Sequence, residues 1–348
     1  MRIGVVGLGK VGEIRVREFQ KLGASVIGYF DPARPDASEP SGLRRFSSLA
    51  SILESPAIDC IAVATPNQFT ADTVVAALRA GKHVLAEKPP GRNHQEFRSI
   101  AEASRAAPGQ VLMFGMNHRH KSSVRELLKV KDSGKLGDLV WVRCRYGKEP
   151  KGSAELGWRD TPSKSGGGIL LDQGIHGLDL ILRLIGEPSR VEALLSGPAE
   201  GLENNAFVQL RSRQGNISAS LHSTSVQWRY LFSLELSFTR GSIALNGLRT
   251  PSGNYGAEIL TAHQVLSNDQ RRTTERQFVD DDSWFNECKM FKETVQVLGT
   301  PAEGSLSDAE LLVKTLDRAY AADPDWNRPE VEPASAITPG AAQAHERH

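Results

Sequence analysis

Residues 1–32 read MRIGVVGLGKVGEIRVREFQKLGASVIGYFDP, and three glycines stand at 7, 9 and 12 directly after an aliphatic run. Residues 2–6 have the short, apolar, glycine-ended form of a buried strand. Val11, Ile14, Phe19 and Leu22 then recur near helical spacing over 10–22, and Gly23 marks the end of that helix. SVIGYF (25–30) reads as a second strand, closed by Asp31-Pro32. At a strand-to-helix turn of this kind each glycine has separate work. The first permits the tight turn, the second lets backbone approach a pyrophosphate, and the third lets helix and strand pack closely. Lys10 and Val11 open the helix, whose free N–H groups would face the phosphates. Asp31 lies 19 residues beyond Gly12, near the spacing of about 20 at which an acid takes ribose hydroxyls. Its charge favours NAD over NADP, although Arg34 nearby could admit a phosphate. Taken alone, Asp31-Pro32 would be an ordinary turn.

The alternation continues along the chain. DCIAVATP (59–66), HVLAEKPP (83–90) and QVLMFGM (110–116) read as strands, with helices over 69–82 and 93–107 between them. Strands alternating with helices of this length imply βαβ units and a parallel sheet. After residue 120 the pattern changes. A helix and a glycine turn precede DLVWVRCRYG (138–147), which alternates with period two. Short strands with turns at 213–216 and 239–242 fill 189–262, and helices are expected over 284–298 and 307–321. The expected fold class is therefore α/β: an N-terminal Rossmann dinucleotide-binding domain over 1–120, then an α+β domain over 121–321 with a mainly antiparallel open sheet. Residues 322–348, rich in Pro and Ala without periodicity, read as a largely unpacked tail.

Composition narrows the partners. With 348 residues, 42 Lys+Arg against 41 Asp+Glu, there is no basic excess to draw a nucleic-acid backbone, so a small molecule is expected. No apolar run reaches membrane-span length, and IGVVGLG is too short for a signal core. Cys60, Cys144 and Cys288 fit neither a metal-site spacing nor a disulfide framework, which points to reduced thiols in a cytoplasmic protein. No metal is expected.

Two further stretches carry chemistry. Glu87-Lys88-Pro89 ends a predicted parallel strand, where ligands of such sheets bind; its lysine could exchange protons there, or be a plain surface cation. In SGGGILLDQGIHGLDL (165–180), Asp172 and His176 are four apart and would share a helix face. A carboxylate and an imidazole so placed can hold a substrate hydroxyl and move its proton. Asp172 could also cap the helix, and His176 could be a packed core histidine. Thr-Pro-Asn (65–67) follows one strand; His118 and Arg119 follow another and could reach a polar substrate or simply open a solvated helix.

GLGKVG, TPN, EKP and GGGILLDQGIH, in this order, resemble the glucose–fructose oxidoreductase / inositol dehydrogenase / MocA family over about residues 1–320. The resemblance implies Lys88, Asp172 and His176 as catalytic residues, and Thr65, Pro66, Asn67 and Glu87 as cofactor contacts beside Gly7, Gly9, Lys10, Val11, Gly12 and Asp31. Trp158 and Arg159 resemble members that act in sugar-nucleotide pathways, and are candidate substrate contacts or a loop anchor. The sequence departs from the family pattern at Gln68, where a histidine is usual, and at Pro90-Gly91-Arg92. The implied function is hydride transfer between NAD and a carbinol of a sugar, sugar nucleotide or cyclitol, with His176 or Lys88 as base. A glycosidase or lyase with a transient internal redox cycle, or a non-catalytic NAD-binding regulator, are the alternatives. A sheet with one uncovered face implies a homo-oligomer, dimer or tetramer.

Overall fold

The computed structural model describes residues 1–34, 42–150, 157–198, 202–251, 253–266, 269–328 and 331. The first unit contains β1 (Arg2–Val6), α1 (Lys10–Lys21), β2 (Ser25–Phe30), β3 (Arg44–Arg45), α2 (Leu49–Leu53), β4 (Cys60–Val63), α3 (Asn67–Arg79), β5 (His83–Glu87), α4 (His94–Ala106) and β6 (Leu112–Gly115). Its six strands are all parallel, in the order β3-β2-β1-β4-β5-β6. The order reverses between β1 and β4, and ligands of doubly wound sheets sit outside the carboxyl ends at such a switch point.

The central strands are aliphatic throughout because both faces are covered. Ile3, Val5, Leu85 and Met113 belong to one core with Phe19 of α1. Val6, Val63, Val84 and Phe114 belong to another with Val74, Phe97 and Ile100 of α3 and α4. Each such side chain withdrawn from water is worth about 1.5–3 kcal/mol.

The second unit follows a 3₁₀ turn at Asn117–His120. It contains α5 (Ser122–Asp132), β7 (Leu139–Gly147), a 3₁₀ turn at Trp158–Asp160, α6 (Pro162–Ser165), a π turn at Leu170–Gly174 and α7 (Ile175–Ile185). Then come β8 (Pro188–Ser196), β9 (Asn205–Ser212), β10 (Ser218–Thr224), β11 (Leu231–Phe238), β12 (Gly241–Asn246), the small ribbon β13 (Arg249–Thr250) and β14 (Gly253–Asn254), β15 (Glu258–Val265) and β16 (Arg271–Phe278). Eight strands form one sheet in the order β16-β15-β12-β11-β7-β10-β9-β8, antiparallel except for β7 with β10. One face packs under α7; the other leaves Val140, Trp141, Leu194 and Phe207 exposed. β16 lies outside the strand region read from the sequence, and all but its last residue is exposed.

The last helices, α8 (Ser283–Val297) and α9 (Leu306–Ala321), return to the first unit. Phe291 of α8 meets Phe19 edge-on at 6.2 Å, and Ala309 and Val313 of α9 join the core above α3 and α4. The start of the supposed unpacked tail also packs. Asp323 accepts the Leu195 N–H at 2.6 Å, Trp326 lies on the second core, and Arg328 pairs with Asp317 at 2.5 Å over the Tyr320 ring. Residues 329–330 and 332–348 of that tail lie outside the described residues. The three cysteines are buried and unpaired, and no helix among the described residues is long and apolar enough to cross a membrane.

Candidate active site

The glycine loop has the stereochemistry a pyrophosphate cradle requires. Gly7 turns with φ +86°, and a Cβ there would stand 2.5 Å from the Ala64 carbonyl oxygen. A Cβ on Gly12 would strike the Gly7 carbonyl at 2.1 Å, so only glycine lets the helix sit this close. Above Gly9 nothing lies within 4 Å, which leaves space where backbone can approach a ligand. Lys10 and Val11 begin α1, and no side chain caps its N–H groups. Asp31 accepts the Leu8 N–H at 2.7 Å and the Ala33 N–H at 2.9 Å, tying the end of β2 to the loop. Arg34, which could have drawn a phosphate, donates to the Leu8 carbonyl at 2.7 Å and to Glu13 at 2.9 Å.

Lys88, Asp172 and His176 come from two units and meet at one place. The Lys88 Nζ donates to the Asp172 carbonyl at 2.5 Å and to its Oδ1 at 3.1 Å. Two further cations reach the same carboxylate: Lys148 Nζ at 3.3 Å from Oδ2 and Arg159 Nε at 3.3 Å from Oδ1. Burial opposes the charge, but Lys88, Lys148 and Arg159 outweigh it and hold Asp172 well below the usual carboxylate range. Asp172 sits in the π turn and His176 in the first turn of α7, close enough for the carboxylate's charge to act on the imidazole. His176 makes no hydrogen bond to Asp172. Its ring stacks on His118 at 4.0 Å and 13°, and its Nδ1 is buried without a partner. Burial, then the charge of Lys88, draws the imidazole down to about 3, so it is neutral at ordinary pH.

Three of the residues expected to touch cofactor or substrate already have protein partners. His118 is 4% exposed, with Nδ1 on Asn117 at 3.0 Å and Nε2 on the Tyr146 hydroxyl at 3.1 Å; it backs His176 rather than facing a substrate. Arg119 is likewise not a substrate contact. It is buried, bidentate to Asp179 at 2.7 Å twice, and paired with Glu303 and Asp308, which spends its guanidinium on joining the 3₁₀ turn to α7 and α9. Asn67 donates its amide to the Ser165 carbonyl at 2.9 Å, fastening α3 to α6. Thr65 lies 3.2 Å from the Thr70 hydroxyl, and Pro66 opens α3. Trp158 supports the Arg159 guanidinium 4.3 Å above its ring.

A cleft of about 460 Å³ opens on the Lys148 and Arg159 side of this cluster, lined by Lys148, Arg159, Asp172, Leu202, Asn204 and Val226 among others; Asp172 is the member of the Lys88, Asp172 and His176 set that lines it. That size suits a small polar ligand. No group of His, Cys, Asp and Glu among the described residues could hold a metal ion.

Sequence reasoning missed Lys148 and Arg15. Lys148 stands one residue past β7, and nothing local marks it as a partner of Asp172. Arg15 did carry a signal: it lies on the apolar side of α1, three beyond Gly12 and four before Phe19, where a charge must find partners. Its Nε donates to Glu87 Oε1 at 2.7 Å and its Nη2 to Glu287 Oε2 at 2.5 Å, and Arg15 lies over the Trp284 ring.

Comparison with known proteins places these features. Residues 1–115 match the model of an oxidoreductase family with an NAD-binding Rossmann fold, and residues 124–244 match the GFO/IDH/MocA C-terminal domain. The levoglucosan dehydrogenase of Pseudarthrobacter phenanthrenivorans is 33% identical over 152 residues, 43% of this chain and 39% of that one. The myo-inositol 2-dehydrogenase of Thermotoga maritima is 24% identical over 262 residues, 72% of this chain and 76% of that one. The chain spans 50% of an uncharacterized oxidoreductase of Streptococcus pneumoniae, which is 30% identical over 195 residues, and 39% of the levoglucosan dehydrogenase, so about half or less of these relatives' length. Among solved structures, a levoglucosan dehydrogenase in complex with NADH and levoglucosan superposes with a TM-score of 0.82, covering 92% of this chain and 96% of the other at 20% identity. At that identity the likeness speaks to fold.

Proposed function

Because the chain belongs to the GFO/IDH/MocA oxidoreductase family, we propose that it is an NAD-dependent dehydrogenase acting on a carbinol of a sugar, sugar nucleotide or cyclitol. The observation that carries this reading is the meeting of Lys88, Asp172 and His176 at the carboxyl edge of the nucleotide-binding sheet, beside a cleft of sugar size.

Gly7, Gly9, Lys10, Val11, Gly12 and Asp31 would hold the dinucleotide, with Thr65, Pro66, Asn67 and Glu87 toward its nicotinamide end. NAD bound there supplies the hydride acceptor. The chain's own residues place the substrate and handle its proton. Lys88, fixed by Asp172, can donate to the carbinol oxygen and stabilise the negative charge that develops on it. His176 is neutral and its ring is held in place by His118; burial and the charge of Lys88 make it a weak base, which the nearby Asp172 charge partly offsets. Asp172 compensates positive charge on Lys88 throughout and on His176 once it has taken the proton. Trp158 and Arg159 would close one side of the cleft on the sugar. Unpaired thiols and an NAD-linked reaction fit a cytoplasmic setting. A second copy, in a dimer or tetramer, would cover the apolar face around Trp141 and Phe207.

The test is to incubate the protein with NAD and a panel of free sugars, inositols and nucleotide sugars, following NADH and substrate together. NADH rising with one class supports the reading and names the substrate. Substrate consumed without NADH replaces it with the internal redox cycle. No change with any class overturns it.

A further inference from the structure

The Arg15 cluster adjoins Lys88 along the chain, and Glu87 is its point of contact. Glu87 ends β5 and is bonded to Lys88. Its Oε1 takes both Nε and Nη2 of Arg15, at 2.7 and 2.5 Å. Its Oε2 has no protein partner among the described residues and is not sealed from solvent. One oxygen is therefore locked and the other presented at the carboxyl end of the strand.

Everything around Arg15 serves that arrangement. Its side chain is 1% exposed. Nη1 faces the Cys288 sulfur at 3.5 Å, and Glu287, 272 residues further along the chain, supplies the second carboxylate. At Gly115, where β6 passes, a Cβ would stand 2.8 Å from Arg15 Nη2 and 3.3 Å from Glu87 Oε2, so any side chain would press on the pair. Arg15 also belongs to α1, the helix that starts at the phosphate cradle. One buried side chain thus links the helix that starts at the glycine loop to the end of β5 at Glu87. A planar guanidinium can hold two carboxylates in fixed geometry; an ammonium cannot.

We infer that Arg15 is a positioning residue for cofactor binding, locking one oxygen of Glu87 so that the other accepts a hydrogen bond from a hydroxyl or amide donor at the nicotinamide end. This rests on the NAD-binding reading of the glycine loop. It assigns α8 a part in the cofactor site, because Glu287 holds the far side of the guanidinium.

The test measures NAD and NADH affinity directly, by calorimetry and NADH fluorescence, below the unfolding onset of every variant, so that lost stability alone leaves Kd unmoved. Arg15→Met is expected to weaken NAD by about tenfold, the loss of one well-formed charge-assisted hydrogen bond. Arg15→Lys should recover part of it. If Arg15→Met does not fold, Arg15→Lys and Glu87→Gln carry the test: each weakens NAD, and the double variant is weakened by less than the two factors multiplied, because both act through one bond. A KM for NAD that rises while kcat for the sugar is nearly kept agrees with positioning. Unchanged Kd in the Arg15 variants, or strictly multiplicative losses, overturns the inference. If the wild type binds no NAD, the dinucleotide reading itself fails, and this inference with it; if it binds NAD but oxidises no sugar, the inference stands alone.

Discussion

The peptide between Glu87 and Lys88 joins two charged clusters of opposite make-up. On the Glu87 side, Arg15 sits between Glu87 and Glu287 at 1% exposure, with both carboxylates on one cation. On the Lys88 side, three cations gather on Asp172, whose side chain is 28% exposed beside the cleft. The first cluster is closed except at Glu87 Oε2, and positive charge is the scarce partner. The second is open to solvent, and negative charge is scarce. A sealed ion pair contributes geometry, since its desolvation cost offsets much of its attraction. An open cluster with surplus donors can give hydrogen bonds to something that arrives, and its polarity suits an oxygen gaining negative charge. Neighbouring residues at one strand end thus face a largely buried set of partners on one side and a more accessible set on the other.

Substitutions should separate the two sides. The largest expected effect is on activity: Lys88→Met lowers kcat/KM for the oxidised sugar by about 10²–10⁴-fold, the span of a general acid–base or proton-handling group. Steady-state NADH formation checks it, and a melting temperature near wild type shows that the fold is intact. Next is stability on the sealed side. Arg119→Met, which strands Asp179 in the other buried cluster, should cost about 3–5 kcal/mol in urea unfolding, because a buried charge loses its partner. Equal stability in wild type and variant would show that sealing does not raise the cost of breaking an ion pair.

Acid and base should also distinguish them. Burial, against the pull of Arg15, pushes Glu287 up to about 7 from an ordinary 4.5. The native state then holds a proton that the unfolded chain has lost, so this group's contribution to stability declines as pH rises from about 4.5 to 7. Asp172 runs the other way: its carboxyl is depressed, so its contribution is present above the ordinary 3.8 and is lost as pH falls below it. Urea midpoints across pH should lose the first slope in Glu287→Gln and keep it in Asp172→Asn. The neutral histidines 118, 120 and 176 add a fall in stability below about pH 6.5, since each charges on unfolding. Smallest is Arg159→Gln. Its side chain is 43% exposed, so unfolding should change by no more than about 1 kcal/mol, while KM for the sugar rises.

Much of this was legible in the sequence where one physical rule acted alone. Strands buried on both faces read as aliphatic runs, and the glycines at 7 and 12 announced contacts that a Cβ forbids. β16 was not legible because RRTTERQF has neither an apolar face nor alternation; it is held as an edge by pairing with β15. The π turn that carries Asp172 leaves no mark in the sequence, so the spacing of four read as plain α-helix. Arg119 looked like a substrate residue because it follows a strand end, and only the tertiary fold shows that Asp179, Glu303 and Asp308 surround it. Charges that answer one another across 84 or 272 residues, as Lys88 does Asp172 and Arg15 does Glu287, leave no local trace.

The return of α8 and α9 to the first unit bears on how the protein is made. The nucleotide sheet is written within the first third of the chain, yet Phe291 closes one of its faces and Val313 the other. A ribosome that has delivered β1 to β6 has delivered a sheet whose last two covering helices are still untranslated. Until synthesis reaches the final helices, that half-built sheet must wait with greasy faces open, a natural client for chaperones, and the domain that emerges first is completed last.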